Sequence, residues 1–155
     1  DAMDGERLGL LLQDGARLLR RDFEQRARNL GLTRAQWSVM AHLSRCEGIN
    51  QAGLADILDV APITLGRTLD RMQKAGWIER RAVDGDKRAR SLHLTPKARP
   101  ALKRVFALGQ QSRKRALTGF SPAEEGKLIA MLVRVRDNLS NGHGRNGRSG
   151  KGARP

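Results

Sequence analysis

Pro62-Ile63-Thr64-Leu65-Gly66-Arg67-Thr68-Leu69-Asp70-Arg71-Met72-Gln73-Lys74-Ala75-Gly76 is the stretch on which the fold turns. Leu65, Leu69 and Met72 are spaced to lie on one side of a helix, while Thr64, Arg67, Thr68 and Arg71 share another side that is polar and cationic. Pro62 suits the first helical turn, where its missing N–H has no partner to lose, and Gly76 is a stop. Just upstream, Asn50 can cap a short helix from Gln51 to Leu58 whose Leu54, Ala55 and Leu58 point inward. Asp59-Val60-Ala61 then turns the chain, so the pair reads helix, tight turn, helix. Downstream the pattern changes to Trp77-Ile78-Glu79-Arg80-Arg81, a turn at Asp84-Gly85, and Ala89 to Leu94 with Leu92 and Leu94 alternating. That is a β-hairpin with a basic tip.

Outward from this centre, Leu8, Leu12, Ala16, Leu19, Phe23, Ala27 and Leu30 recur at the spacing of one long amphipathic helix, with Gly31 as its end. Leu10, Leu11 and Leu18 lie off that stripe, which implies a second apolar contact such as another subunit. Thr33-Arg34-Ala35-Gln36 is a capping box opening a helix through Trp37, Met40, Ala41 and His42 to about Arg45. Thr95-Pro96 starts a fifth helix with Ala98, Leu102, Val105, Leu108 and Leu117 among its apolar positions, and Pro100 is expected to kink its first turns. Ser121-Pro122-Ala123-Glu124 opens a sixth, striped by Leu128, Met131, Leu132, Val135 and Leu139. From Ser140 the apolar periodicity ends, and residues 140–155 read as a disordered cationic tail. The expected fold is mainly α with a small β-hairpin.

The 155 residues fit one domain with a real core, and no apolar run approaches the roughly 20 residues that span a bilayer. Nothing at the start reads as a signal peptide, so a cytoplasmic location is expected. Cys46 is the single cysteine, which excludes an internal disulfide framework and multi-cysteine zinc sites. The net charge of +14 is unevenly spread. Residues 61–104 carry 12 basic against 4 acidic side chains, whereas residues 1–60 carry 8 against 9. A merely solvated face predicts scatter; this concentration is what a phosphate-binding surface needs to release counterions from a polyanion. A basic membrane helix ranks below nucleic acid, because turn signals at Gly76 and Asp84-Gly85 break the apolar face it would require.

A helix with hydroxyls near its N-terminus and guanidiniums along one side can enter a major groove, where Arg bonds guanine O6 and N7. At the hairpin tip, Asp86, Lys87, Arg88 and Arg90 surround a turn that can reach the adjacent minor groove, with Arg88 the first choice for the groove itself. Asp86 can hold an Arg side chain by a charge-assisted bond, or simply form the turn. Gly66 lowers helix stability by up to about 1 kcal/mol relative to Ala, which close approach to the DNA backbone would justify.

These residues resemble the MarR family of winged helix-turn-helix regulators, particularly its SlyA-like branch. The resemblance rests on Gly31-Leu32-Thr33-Arg34-Ala35-Gln36-Trp37, on Gln51-Ala52-Gly53-Leu54-Ala55, on Pro62 to Met72 with Lys74 to Arg80, and on Asp86-Lys87-Arg88 followed by Leu92-His93-Leu94-Thr95. It implies a homodimer on double-stranded DNA at a pseudopalindromic operator, with residues 1–30 and 96–139 as dimerisation helices around a winged region at 31–95. Pro62, Ile63, Thr64, Arg67, Thr68 and Arg71 become recognition-helix positions, and Arg88 becomes the minor-groove arginine beside Asp86, Lys87 and Arg90. The resemblance further implies a repressor, released by a small aromatic carboxylate or phenol. Trp37 and His42 lie near the crevice where relatives hold such effectors, although core packing is the favoured reading of both. Cys46 sits far from the family's reactive position and reads as an inert thiol. His42, His93 and His143 are widely separated with no acidic partner at a metal spacing, so no metal or cofactor is expected, and no triad, phosphate loop or paired carboxylates suggest an enzyme. The alternative from a different class is a non-specific architectural protein that binds nucleic acid through its cationic surface and tail.

Overall fold

The computed structural model describes residues 2–143, among which lie six α-helices and one two-stranded antiparallel hairpin. Residues up to Ala116 and those from Leu117 onward form two compact units.

In the first unit, α1 (Ala2–Arg26) passes through a single 3-10 turn, Ala27–Asn29, before Gly31 ends it. The capping box at Thr33 opens α2 (Arg34–Leu43): the Gln36 amide donates to Thr33 Oγ1 at 3.2 Å and the Thr33 amide to Gln36 Oε1 at 3.1 Å. That helix ends at Leu43, short of Arg45. Asn50 Oδ1 accepts from the Gly53 amide at 2.8 Å and caps α3 (Gln51–Leu58). Pro62 stands in the first turn of α4 (Pro62–Lys74), which stops where Gly76 adopts a φ of 81° that its missing Cβ permits. The hairpin follows as β1 (Ile78–Val83) and β2 (Asp86–Leu94). Then α5 (Ala98–Ala116) begins three residues later than Thr95, because Thr95-Pro96-Lys97 makes a turn that ties back to the residues just after α4. Pro100 therefore lies in the first turn of α5, where its missing N–H leaves no carbonyl unserved.

The main core joins α2, α3, α4, the base of the hairpin and the start of α5 through Met40, Leu43, Leu54, Leu65, Leu69, Met72, Ile78, Leu92 and Leu102. A smaller cluster of Phe23, Ala27 and Val105 seats α1 on α5, with Trp37 against Phe23 at 4.4 Å between ring centroids. The rest of α1 is uncovered: Leu8, Leu12 and Leu19 of the stripe, and Leu10, Leu11 and Leu18 beside it, are all exposed.

An ionic junction also joins α1 to α5. Asp22, only 13% exposed, accepts from Arg26 Nε at 2.8 Å and from Arg115, while Arg26 Nη1 donates to Gln111 at 3.2 Å. The Arg26 bond first, then the nearby buried Ser112 hydroxyl and Arg115, lower the Asp22 carboxyl from 3.8 to about 2. Ser112 Oγ meets no partner at strict hydrogen-bond geometry, so its influence on Asp22 is that of a nearby dipole.

In the second unit, Ser121 and Glu124 form the second capping box at the head of α6 (Pro122–His143), with bonds of 2.8 and 3.2 Å. Met131, Leu132 and Leu139 of its stripe are exposed, and Leu128 and Val135 are half-buried. The helix runs past Ser140, the residue at which the loss of apolar periodicity predicts the start of the tail. Residues 144–155 of that tail lie outside the described residues.

Candidate nucleic-acid interface

With Leu65, Leu69 and Met72 buried, the 100° step of an α-helix places Ile63, Arg67, Asp70 and Lys74 in a line on the opposite side of α4, flanked by Thr64 and Arg71. All six are exposed. Thr68 does not join them: it is half-buried and, with Thr64, lines a cleft of about 410 Å³ against Arg34 and Ser38 of α2. The presented face is thus apolar at its N-terminal end and cationic beyond. Arg67 and Arg71 have no internal ion-pair partner among the described residues.

The hairpin pairs Ile78 with Leu94 through Ala82 with Arg90, and a bulge after Ala82 sets Val83 opposite Asp86. Gly85, at a φ of 82°, makes the tight reversal. Asp86 Oδ1 accepts from the backbone amides of Arg88 and Ala89 at 2.9 and 3.2 Å. Its carboxylate therefore shapes the turn, the second of the two roles expected of it, and bonds no arginine side chain among the described residues. Arg90 Nη1 donates to the carbonyls of Lys87 and Ala89, so this guanidinium braces the tip. Lys87 and Arg88 remain exposed with no ion pair among the described residues.

The sequence reading missed the side chain that joins these two surfaces. Arg80 of β1 reaches Asp70 of α4 at 2.9 Å through Nη2 and Gln73 Oε1 at 2.7 Å through Nη1. The only signal for it was Asp70 itself, the one acid on a cationic helix. Gln51 was also missed. Its Nε2 donates to the Pro62 carbonyl at 2.9 Å, and a Cβ on Gly66 would stand 2.9 Å from that nitrogen. Gly66 thus faces α3 and makes room for Gln51, which corrects the expectation of a DNA-backbone approach. Between the start of α3 and the hairpin, a groove of about 330 Å³ is lined by Asn50, Gln51, Arg80, Arg88 and Arg90.

The ends of these elements are fastened. Thr95 Oγ1 donates to the Gly76 carbonyl, and Lys97 Nζ donates to the Ala75 carbonyl at 2.6 Å while lying 4.5 Å over the Trp77 ring. Glu47 accepts from the Leu94 amide at 2.8 Å and from Arg99 at 3.1 Å. Partial burial pushes its carboxyl up, but these bonds outweigh that and hold it below the usual glutamate range. The base of the hairpin is therefore fastened to the loop after α2, to the residues that follow α4 and, through Arg80 and Asp70, to α4 itself.

A family model described as the MarR family matches residues 30–89, from just before α2 to the hairpin tip. The crystal structure of the transcriptional regulator PA3341 superposes with a TM-score of 0.78 at 35% identity, over 86% of this chain and 98% of that one. The chain belongs to the MarR family. Members of the MarR family are transcriptional regulators, not enzymes. Two further similar structures are the regulator SlyA (27% identity, TM-score 0.75, 86% of this chain and 94% of that one) and the repressor CouR bound to a 23-mer DNA duplex (28%, 0.72, 85% and 94%).

For this MarR-family chain, the two effector candidates part company. Trp37 is half-buried in the cluster around Phe23, as its place on an apolar face suggests. His42 is exposed, with Nδ1 2.8 Å from the Ser38 carbonyl, which corrects its expected core position. Five residues apart on α2, the two side chains leave the helix about 140° apart. Burial pushes the Cys46 thiol up, and Sγ donates to the His42 carbonyl at 3.2 Å, so the nucleophilic thiolate is disfavoured.

Proposed function

We propose that this chain is a repressor that binds a pseudopalindromic operator as a homodimer, α4 lying in the major groove and the Arg88 hairpin in the adjacent minor groove. The observation that carries this reading is the placement of Arg67 and Arg71 on the outward side of α4, with Arg88 on a hairpin that the Asp70–Arg80 pair ties to the same helix. Guanidiniums with no ion-pair partner among the described residues, on two joined elements, suit neighbouring grooves of one duplex. The uncovered Leu8, Leu10, Leu11 and Leu12 of α1 and the exposed apolar residues of α6 support a second copy as partner. We assign it to the SlyA-like branch on its hairpin motif, and to the cytoplasm, where its DNA target lies.

Release by an aromatic carboxylate or phenol is part of the same proposal. A cavity of about 520 Å³ between α1 and α5 offers Leu18, Leu19 and Arg21, and the Asp22 carboxylate that also lines it is already held by Arg26 and Arg115. The test is selection of bound sequences from random duplex DNA by the full chain, repeated with a panel of aromatic acids. A pseudopalindromic consensus whose binding one of the acids weakens supports the reading. Equal capture of all duplexes would instead establish non-specific architectural binding.

A further inference from the structure

Ile63 is 75% exposed, the highest value of any large apolar side chain among the described residues. It occupies the second position of α4 and heads the outward line that continues through Arg67. Neither packing nor helix propensity accounts for it: the side chain touches little of the core, and a β-branched residue is not a strong helix former. Pro62 before it and Thr64 after it are exposed as well, so the whole N-terminal end of this side of α4 is free to meet a ligand.

On the reading of α4 as the recognition helix, this end is the one that reaches base edges. Arg67 can bond a purine there, and Thr64 can bond either base. Ile63 has no donor or acceptor, so its only complementary group in the major groove is the C5 methyl of thymine. Over a G·C pair the same side chain would cover polar atoms without bonding them, which is unfavourable. We infer that Ile63 reads a thymine methyl and so specifies an A·T pair at its position in each half-site. It is a specificity-determining residue that adds little to affinity for unrelated DNA.

The experiment replaces each thymine of the selected operator, one at a time, by deoxyuridine, which removes the methyl and keeps every hydrogen-bonding group. Affinities are measured for the wild type and for Ile63→Ala, whose exposed position leaves folding intact. At one thymine per half-site, the wild type loses roughly fourfold in affinity, the worth of one buried methyl group. Ile63→Ala binds the unmodified operator correspondingly less well and is indifferent to uracil at that position alone. Uracil effects equal in the two proteins at every position, or no thymine in the half-sites, overturn the inference while leaving α4 as the reader. If the wild type shows no sequence preference at all, the recognition-helix reading fails and Ile63 falls with it.

Discussion

Arg80 on β1 and Asp70 on α4 pair at 2.9 Å, and this contact couples the hairpin to the helix it flanks. Asp70 is largely solvent-exposed, so the pair contributes at most about 1 kcal/mol to stability, and its value lies in orientation. Asp70→Asn separates two effects by sign. On the proposed reading, removing a negative charge from this face of α4 tightens binding to any duplex, whereas releasing the hairpin weakens binding to the operator. We predict a melting temperature close to wild type, unchanged or tighter non-specific binding, and several-fold weaker operator binding, measured by fluorescence anisotropy at one salt concentration. Equal tightening on both duplexes would show that the pair has no positioning role.

Gly66 and Gln51 should be energetically coupled. Gly66→Ala gains up to about 1 kcal/mol of helix propensity, but the new methyl displaces the Gln51 amide from the Pro62 carbonyl, a loss of similar size. The expected result is little net change in wild type. In a Gln51→Ala background, with nothing to displace, Gly66→Ala stabilises by about 1 kcal/mol in urea unfolding. Identical effects in both backgrounds would place Gly66 elsewhere than against Gln51.

Acid should dismantle the α1–α5 junction. The Asp22 carboxyl is lowered in the folded chain from 3.8 to about 2, so its stabilisation is complete above the higher value and lost as pH falls toward the lower. Asp22→Asn lacks that dependence. The melting temperatures of wild type and Asp22→Asn therefore converge as pH is lowered from about 5 to 2. Glu47, lowered in the same direction by Leu94 and Arg99, adds to the loss in both proteins. A gap that holds constant across this range would exclude the proposed ionic junction.

The elements themselves are written locally. Capping boxes at Thr33 and Ser121, the Asn50 cap, Pro62 and the Asp84-Gly85 turn each depend on residues within a few positions, and each stands where its chemistry predicts. What sequence could not supply was partner choice across elements. Five basic residues cluster in the hairpin, yet Arg80 bonds to α4, Arg90 to the tip's own carbonyls, and Arg88 to neither. Their composition is the same and their roles are set by register. Gly66 was misread for the same reason, since its neighbour Gln51 lies on another helix. His42 lies toward solvent because α2 turns it away from the side that buries Val39, Met40 and Leu43.

The cationic segment beyond His143 carries four basic residues and no acidic one. Truncation after His143 should weaken binding to operator and unrelated duplexes alike. It should also flatten the dependence of affinity on salt, by about 0.9 for every phosphate that the segment neutralises. Loss of operator preference in the truncated chain would transfer the recognition function to that segment.

The most direct test of the account is the ratio of operator to non-operator affinity for wild type, Arg67→Ala and Arg88→Ala at a single salt concentration. Each substitution is predicted to lower operator affinity by about 1–3 kcal/mol, with much less effect on unrelated duplex, so that the ratio collapses. A ratio unchanged by either substitution would contradict the claim that this helix and this hairpin read one duplex together.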